Sequence, residues 1–441
     1  MSTMGILKRL GTLGRDQGGN ALAICAAAMP LVIGGAGLAI DSVQISVARR
    51  ELQRAADSAA LAGAYAINQN PSSTGSTRTT FAQNGAVRDL EVNNDVTLSG
   101  AAVVQNAPAT GPFATNANAV RVQLTANRTM SFLSFFDATP VAITVEATAA
   151  IVREGSFCML ALEDGNATGV SVGGNATINI GCGISSNSTS PNAITASGSS
   201  SVTASPIMAV GGVPSSSNFA SGTTLIPFAP VQSDPFANLP TPSPSNCVNA
   251  PASGSKSNVT VTTSTPGYTA ATNSFCFNGW DIKGNVTLDF AQPTIVYING
   301  GELGFGAQAH VTARNVVFVL TSTNATSNPN SIATLGMNGG AELDIESPSS
   351  GPFDGVAIYE DRRAPLGRTT RFNGGSGSII NGALYMPQAY FEYNGNADMD
   401  AQCIQLVARR LDFRGNGSVT NQCDSADPSQ NFQATYVRLV G

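Results

Sequence analysis

Histidine is nearly missing from this chain of 441 residues: His310 stands alone. A lone imidazole in the strand-like stretch AQAHVTA speaks against a histidine-based triad and against the multi-histidine zinc sites of hydrolases. It reads as an outward-facing strand residue. Charge is thin as well. Asp, Glu, Lys and Arg make up 11% of the residues, the net charge is −6, and the only lysines are Lys8, Lys256 and Lys283. Phosphate backbones are bound by clustered positive charge. No basic stripe lies outside the N-terminal segment, so nucleic acid is not an expected partner. There is no C-x-x-C pair, and Lys256 sits in GSKS without the GxxxxGK[ST] phosphate loop. No metal or cofactor site is expected. Gly, Ser, Thr, Asn and Ala dominate instead, as in exported proteins rich in strands and turns.

One segment is dense in apolar residues. Residues 21–40, ALAICAAAMPLVIGGAGLAI, hold no charge. At about 1.5 Å per residue they match a hydrocarbon core of roughly 30 Å. Lys8, Arg9 and Arg15 precede the run and Asp41 ends it. Basic residues flanking a span stay in the cytoplasm, so the expected topology is N-terminus inside and bulk outside. The competing reading is a cleaved secretory signal, whose apolar core is usually about 7 to 15 residues long. This core is longer, although Ala36 and Ala39 lie near its end. Both readings export the rest of the chain.

The residues around the span carry a resemblance. They are Gly19-Asn20, Pro30, the GLAID exit from Gly37 to Asp41, and the run from Arg50 to Ala62. Together they resemble the N-terminal module of TadG-like proteins of the tight-adherence (Tad/Flp) pilus system, over about 50 residues. The resemblance implies a bacterial inner-membrane protein that reaches into the periplasm and takes part in pilus assembly. Related pseudopilins are cut after a Gly and carry Glu at the fifth mature position. A cut after Gly19 would place Ile24 there, which departs from that pattern.

The expected organisation has four parts. Residues 1–20 form a cytoplasmic tail, and 21–69 one continuous helix that spans and then emerges. Residues 70–153 form a small α/β domain, and 154–441 an all-β parallel β-helix (β-solenoid). The emergent helix pairs small residues at i, i+4, such as Ala55/Ala59 and Ala59/Gly63, which let backbones approach. They could pack on pilus-assembly subunits or copies of the chain, or on their own domain. Residues 70–80 read as a polar linker and 81–90 as a helix. Residues 95–105, 119–126 and 141–152 alternate as half-buried strands do. SFLSFFDA, at 131–138, reads as an apolar turn plugging the small core.

Beyond residue 155 a short motif recurs: Gly, small residues, an aliphatic residue, a polar one. It begins at Gly174, Gly198, Gly284, Gly306, Gly339, Gly374, Gly395 and Gly415, with spacings of 24, 86, 22, 33, 35, 21 and 20. Periods near 20 mark solenoids. The 86-residue gap holds a Pro/Ser-rich insertion at about 214–251, read as a long, partly disordered surface loop.

Cys25 lies in the span; six cysteines remain outside it. An even set in an exported chain suggests disulfides. Cys158 and Cys182 are 24 apart, Cys403 and Cys423 are 20 apart, each one coil's length. Residues one coil apart sit about 4.8 Å from each other, within disulfide range. The expected pairs are Cys158–Cys182, Cys247–Cys276 and Cys403–Cys423, the first and third stapling the terminal coils.

The function expected is a membrane-anchored structural component of pilus assembly or surface attachment, not an enzyme, with a glycan or cell-surface ligand open to it. One alternative is a carbohydrate-active β-helix enzyme, which would need converging carboxylates. Its candidates are Asp281, Asp289, Asp344, Glu346, Asp398, Asp400 and Asp412. Another is a secreted adhesin with a cleaved anchor. YEDRRAPLGRTTR, at 359–371, reads either as a clamp or docking loop, or as a solvated loop with local ion pairs. Tyr385, Tyr390, Phe391 and Tyr393 form either a binding strip or coil-core stacks.

Overall fold

The computed structural model describes residues 19–373, 378–395, 399–401, 404–421 and 432–440. The chain divides into two compact units, one within residues 1–152 and 437–441, the other within 153–436.

In the first unit, helix α1 (Gly19–Gln69) is followed after a short turn by helix α2 (Gly75–Val92). Ala-rich sequence favours the helix and removes bulk between the two axes. A Cβ at Gly63 would lie 2.9 Å from the Ala82 carbonyl, and one at Gly85 would lie 2.8 Å from the Ala62 carbonyl. The pair packs on an antiparallel sheet. Strand β1 (Val103–Asn106) pairs with β2 (Ala119–Arg128), and β2 pairs with the first half of β3 (Val141–Ala161). Ala55, Ala56, Ala59, Ala60 and Ala64 are all buried in this core, with Val120 and Leu124. Of the two readings open for this Ala face, the structure shows packing on its own domain: α2 and the sheet cover it. The predicted linker is also shorter, since α2 begins at Gly75, and of residues 95–105 only the last few join a strand.

The second unit is built from parallel pairings. One ladder joins Thr177–Ile180 to Ser201–Thr203 on one side and to Ser418–Asn421 on the other. The same arrangement joins Asn285 to His310 and His310 to Glu342. These are the recurrent Gly motifs, placed strand over strand, so one motif equals one rung. A second ladder runs through Trp280–Ile282, Glu302–Phe305, Thr334–Met337 and Thr369–Phe372. The third runs through Ser274–Phe277, residues 294–299, residues 316–321 and Val356–Glu360. Inward side chains such as Phe275, Phe305, Leu343 and Phe391 fill a continuous core.

The chain does not enter this stack at an end. Its first rung pairs with its last, Met159 with Leu406 and Val170 with Leu411. From the middle the chain climbs through residues 183–186 to 207–209 and 225–226. It then returns to the far side and rises again toward its own beginning. The Cys158–Cys182 bond, Cα–Cα 5.8 Å, thus lies inside the stack and not at a terminal coil.

Residues 227–246 make the return. Eight ladder steps separate Ile207 from Phe275, about 38 Å at the usual strand spacing. Twenty extended residues reach up to about 70 Å. The strap is pinned rung by rung. The Gln232 amide N–H donates to Asn187 (2.7 Å), and the Tyr385 hydroxyl donates to Asp234 (2.7 Å). Arg362 donates to the carbonyls of Phe236 and Leu239, and Arg363 to that of Pro242. Cys247–Cys276 ties down its end, Cα–Cα 4.4 Å. Phe236 and Leu239 cover Tyr359, Tyr385 and Val319, so the third ladder is apolar on both faces. The partly disordered loop expected here is instead an ordered strap.

Candidate functional site

The longest exposed apolar surface among the described residues is the first half of α1. Ile24, Met29, Leu31, Val32, Ile33, Leu38 and Ile40 all face outward, with Leu31 79% exposed. By length and composition, the helix from Ile24 to Asn68 can cross a membrane. Cys25 is free and exposed on the same surface.

Asp41, which ends the uncharged run, is part of a built feature. The carboxylate is buried and accepts two backbone hydrogen bonds, from Phe132 N–H at 3.0 Å and Leu133 N–H at 2.7 Å. Gln44 donates to the Ser131 hydroxyl at 2.9 Å. The ring of Phe132 lies flat against Gly37, where a Cβ would overlap it. Gly37 and Asp41, the two ends of the GLAID exit, therefore receive and cap the turn Leu133–Phe135. The turn does not plug the core as expected. Phe135 is 84% and Phe136 77% exposed. The short apolar stretch cannot reach the core because Asp41 holds its amides at the helix surface. Asp41 had a legible signal, being the first acid after twenty apolar residues; its partners lie too far along the chain to read.

The candidates in the 153–436 unit fall differently. Asp281 pairs with Lys283 at 2.7 Å on the exposed surface, Asp344 pairs with Arg314, and Glu346 lies 3.7 Å from the same guanidinium. Asp412 pairs with Arg414 at 2.6 Å. Asp289 aligns with Arg314 across the ladder. Asp400 sits in the strand Met399–Ala401, and Asp398 lies outside the described residues. His310 meets Glu342 at 2.9 Å on the outer face. Among the described residues, no three His, Cys, Asp or Glu converge to hold a metal. One groove of about 190 Å³ is lined by Gly304 and Gly336, which align with Asp281 on one side and Arg371 on the other, while the Glu302 side chain lies over Gly336. Of the aromatic run, Tyr385, Phe391 and Tyr393 are buried, while Tyr390 carries Arg410 over its ring at 4.4 Å. A sugar-binding strip of these four is thereby ruled out, because Phe391 and Tyr393 face the main core and Tyr385 lies under the strap.

In the charged run 359–371 the expected local ion pairs are present, but at its start they are buried and not solvated. Glu360 and Asp361 are buried, paired with Arg368 at 2.6 Å and Arg363 at 2.6 Å. Burial pushes the Glu360 carboxyl up, against the opposing pull of Arg368. Burial, together with the Asp234 hydrogen bond, pushes the Tyr385 phenol well above its usual range. Where first and last rungs meet, Glu163 accepts from Arg410 at 2.7 Å and from Arg409 at 3.1 Å. Burial tends to raise its carboxyl, but these bonds and the Gly165 amide outweigh it and hold it below the ordinary range. Cys403 and Cys423 lie outside the described residues.

Residues 19–66 match the family model described as Putative Flp pilus-assembly TadE/G-like. No curated protein and no solved structure matches the chain. The matched residues contain the exposed apolar helix, its GLAID exit and the Ala face buried under α2. Over residues 19–66, and there alone, the chain is similar to the TadE/G-like family of putative Flp pilus-assembly proteins.

Proposed function

We propose that this protein is a single-pass, membrane-anchored structural component of Tad/Flp pilus assembly or surface attachment. In this reading residues 24–40 cross the bacterial inner membrane with the N-terminus in the cytoplasm. Residues 153–436 form a β-solenoid that offers a rigid interaction face outside. The observation that carries it is the exposed apolar half of α1, lying within the TadE/G-like match. Lys8, Arg9 and Arg15 support the orientation. The in-register parallel ladders, one motif to each rung, support the solenoid. A structural role suits an outer face on which Asp281, Asp344, Glu346 and Asp412 are engaged in ion pairs. The groove over Gly304 and Gly336 supports a glycan ligand as a second reading, since its rim carries Asp281, Glu302 and Arg371.

A photo-crosslinker placed at Leu31, in cells that build the pilus, tests the proposal. Adducts with pilus-assembly subunits are expected. Adducts with lipid alone, together with glycan retention by residues 153–436, would favour the second reading and refute the first.

A further inference from the structure

We infer that the turn carrying Leu133, Phe135 and Phe136 is a second membrane contact, seated in the lipid interface on the side where α1 emerges. The inference rests on the anchor reading above. Two nearly fully exposed phenylalanines on one short turn are not explained by the fold, because neither packs on its core. Such apolar surface marks an interaction site.

The depth of the turn is fixed within this unit. Phe132 touches Gly37, four residues before Asp41, or about 6 Å inside the end of the apolar run. Its edge meets Phe136 at 5.4 Å between ring centroids. The exposed rings are thus continuous with the apolar face of α1, at the level where hydrocarbon gives way to headgroups. From 129 to 136 the sequence TMSFLSFF carries no charge. Asp41 and Gln44 keep the turn against α1, and the first acid of the segment, Asp137, follows it. Apolar groups in such a position bury about 5 to 10 Å into the headgroup/acyl boundary. The occupant is therefore the bilayer. Its consequence is that α1 cannot rotate or slide freely at its exit, because the unit it carries is held at two points.

Tryptophan depth measurement on the full chain tests this. Trp280 is the only tryptophan and is buried, so the unsubstituted chain supplies the background to subtract. Phe135→Trp and Leu31→Trp chains are reconstituted in phosphatidylcholine/phosphatidylglycerol vesicles with lipids brominated near the headgroup or deep in the acyl chain. Both tryptophans should be quenched, the one at 31 more by deep bromine and the one at 135 more by shallow bromine. Adding Asp41→Ala to Phe135→Trp should reduce that shallow quenching. If position 31 is quenched and position 135 emits as in water, the inference fails and the anchor stands. A blue-shifted but unquenched signal at 135 would mean that protein, not lipid, covers the turn, and also refutes it. If position 31 is not quenched, the anchor and this inference fall together.

Discussion

At the scale of the residue, a few polar side chains hold segments that hydrophobic burial alone would leave loose. Arg362 is the clearest. Its guanidinium donates to two strap carbonyls and to the Tyr385 hydroxyl, which in turn donates to Asp234. Each charged hydrogen bond contributes about 1.5 to 3 kcal/mol, and they are not additive. Arg362→Ala should destabilise the 153–436 unit by about 3 kcal/mol in urea unfolding and open residues 232–242 to protease. An unchanged midpoint would contradict the pinning. Glu163 gives a pH signature. Unfolded, its carboxyl titrates near 4.5; folded, it titrates lower. The unfolded state therefore takes up the proton first as pH falls. The contribution of Glu163 is complete above about pH 4.5 and is lost as pH drops through the folded value. Glu163→Gln should lower stability at neutral pH by about 2 kcal/mol and flatten the acid limb of the stability curve. An acid limb of unchanged slope would place the titration elsewhere.

At the scale of the element, the strap and the GLAID exit are the two devices that set geometry. The Cys247–Cys276 bond closes a separation of 29 residues at the strap's end. Replacing both cysteines by Ser should cost about 3 to 4 kcal/mol on the chain-entropy argument. It should also raise amide exchange in residues 247–261 before the rest; uniform exchange would contradict a local tether. Gly37→Leu should expel Phe132 from its seat, without unfolding the Ala-packed core twenty residues on. The readout is the environment of Phe132 by aromatic NMR or fluorescence of a Phe132→Trp chain, and an unaltered signal would contradict the contact. Elements such as α1 and the rungs were legible because their cause is local: an uncharged twenty-residue run, and a Gly-small-aliphatic motif repeating near 20. The strap was not. Pro and Ser in 227–246 give the same composition whether a chain is loose or laid along a ladder. What decides is Arg362 and Tyr385, more than a hundred residues away. The turn at 131–138 misled for a related reason. Three Phe signal burial, and the fact that Asp41 holds them at the helix surface is invisible from spacing. The charged run 359–371 showed its density in sequence, while the partners that hold Glu360 and Asp361 in their buried places, Arg368, Arg363 and Thr321, could not be read from it.

At the scale of the whole molecule, the rung order carries a lesson about cooperativity. The first and last rungs of the 153–436 unit are neighbours, joined by Met159–Leu406 pairing and by Glu163 with Arg409 and Arg410. A stack built from one end would fray from its two sequence termini. Here both of those lie inside. Residues 157–161 and 404–408 should therefore exchange slowly and together, and the rungs at 225–226 and 258–261 first. Early exchange at 404–408 would contradict this order. The account depends most on where the chain changes solvent. Full-length protein in sealed spheroplasts, treated with external protease and then washed at alkaline pH, measures that directly. The account predicts a membrane-retained N-terminal fragment ending soon after Asp41, with the remainder cut or released from outside. A chain that washes free intact, or one protected along its whole length, would contradict it.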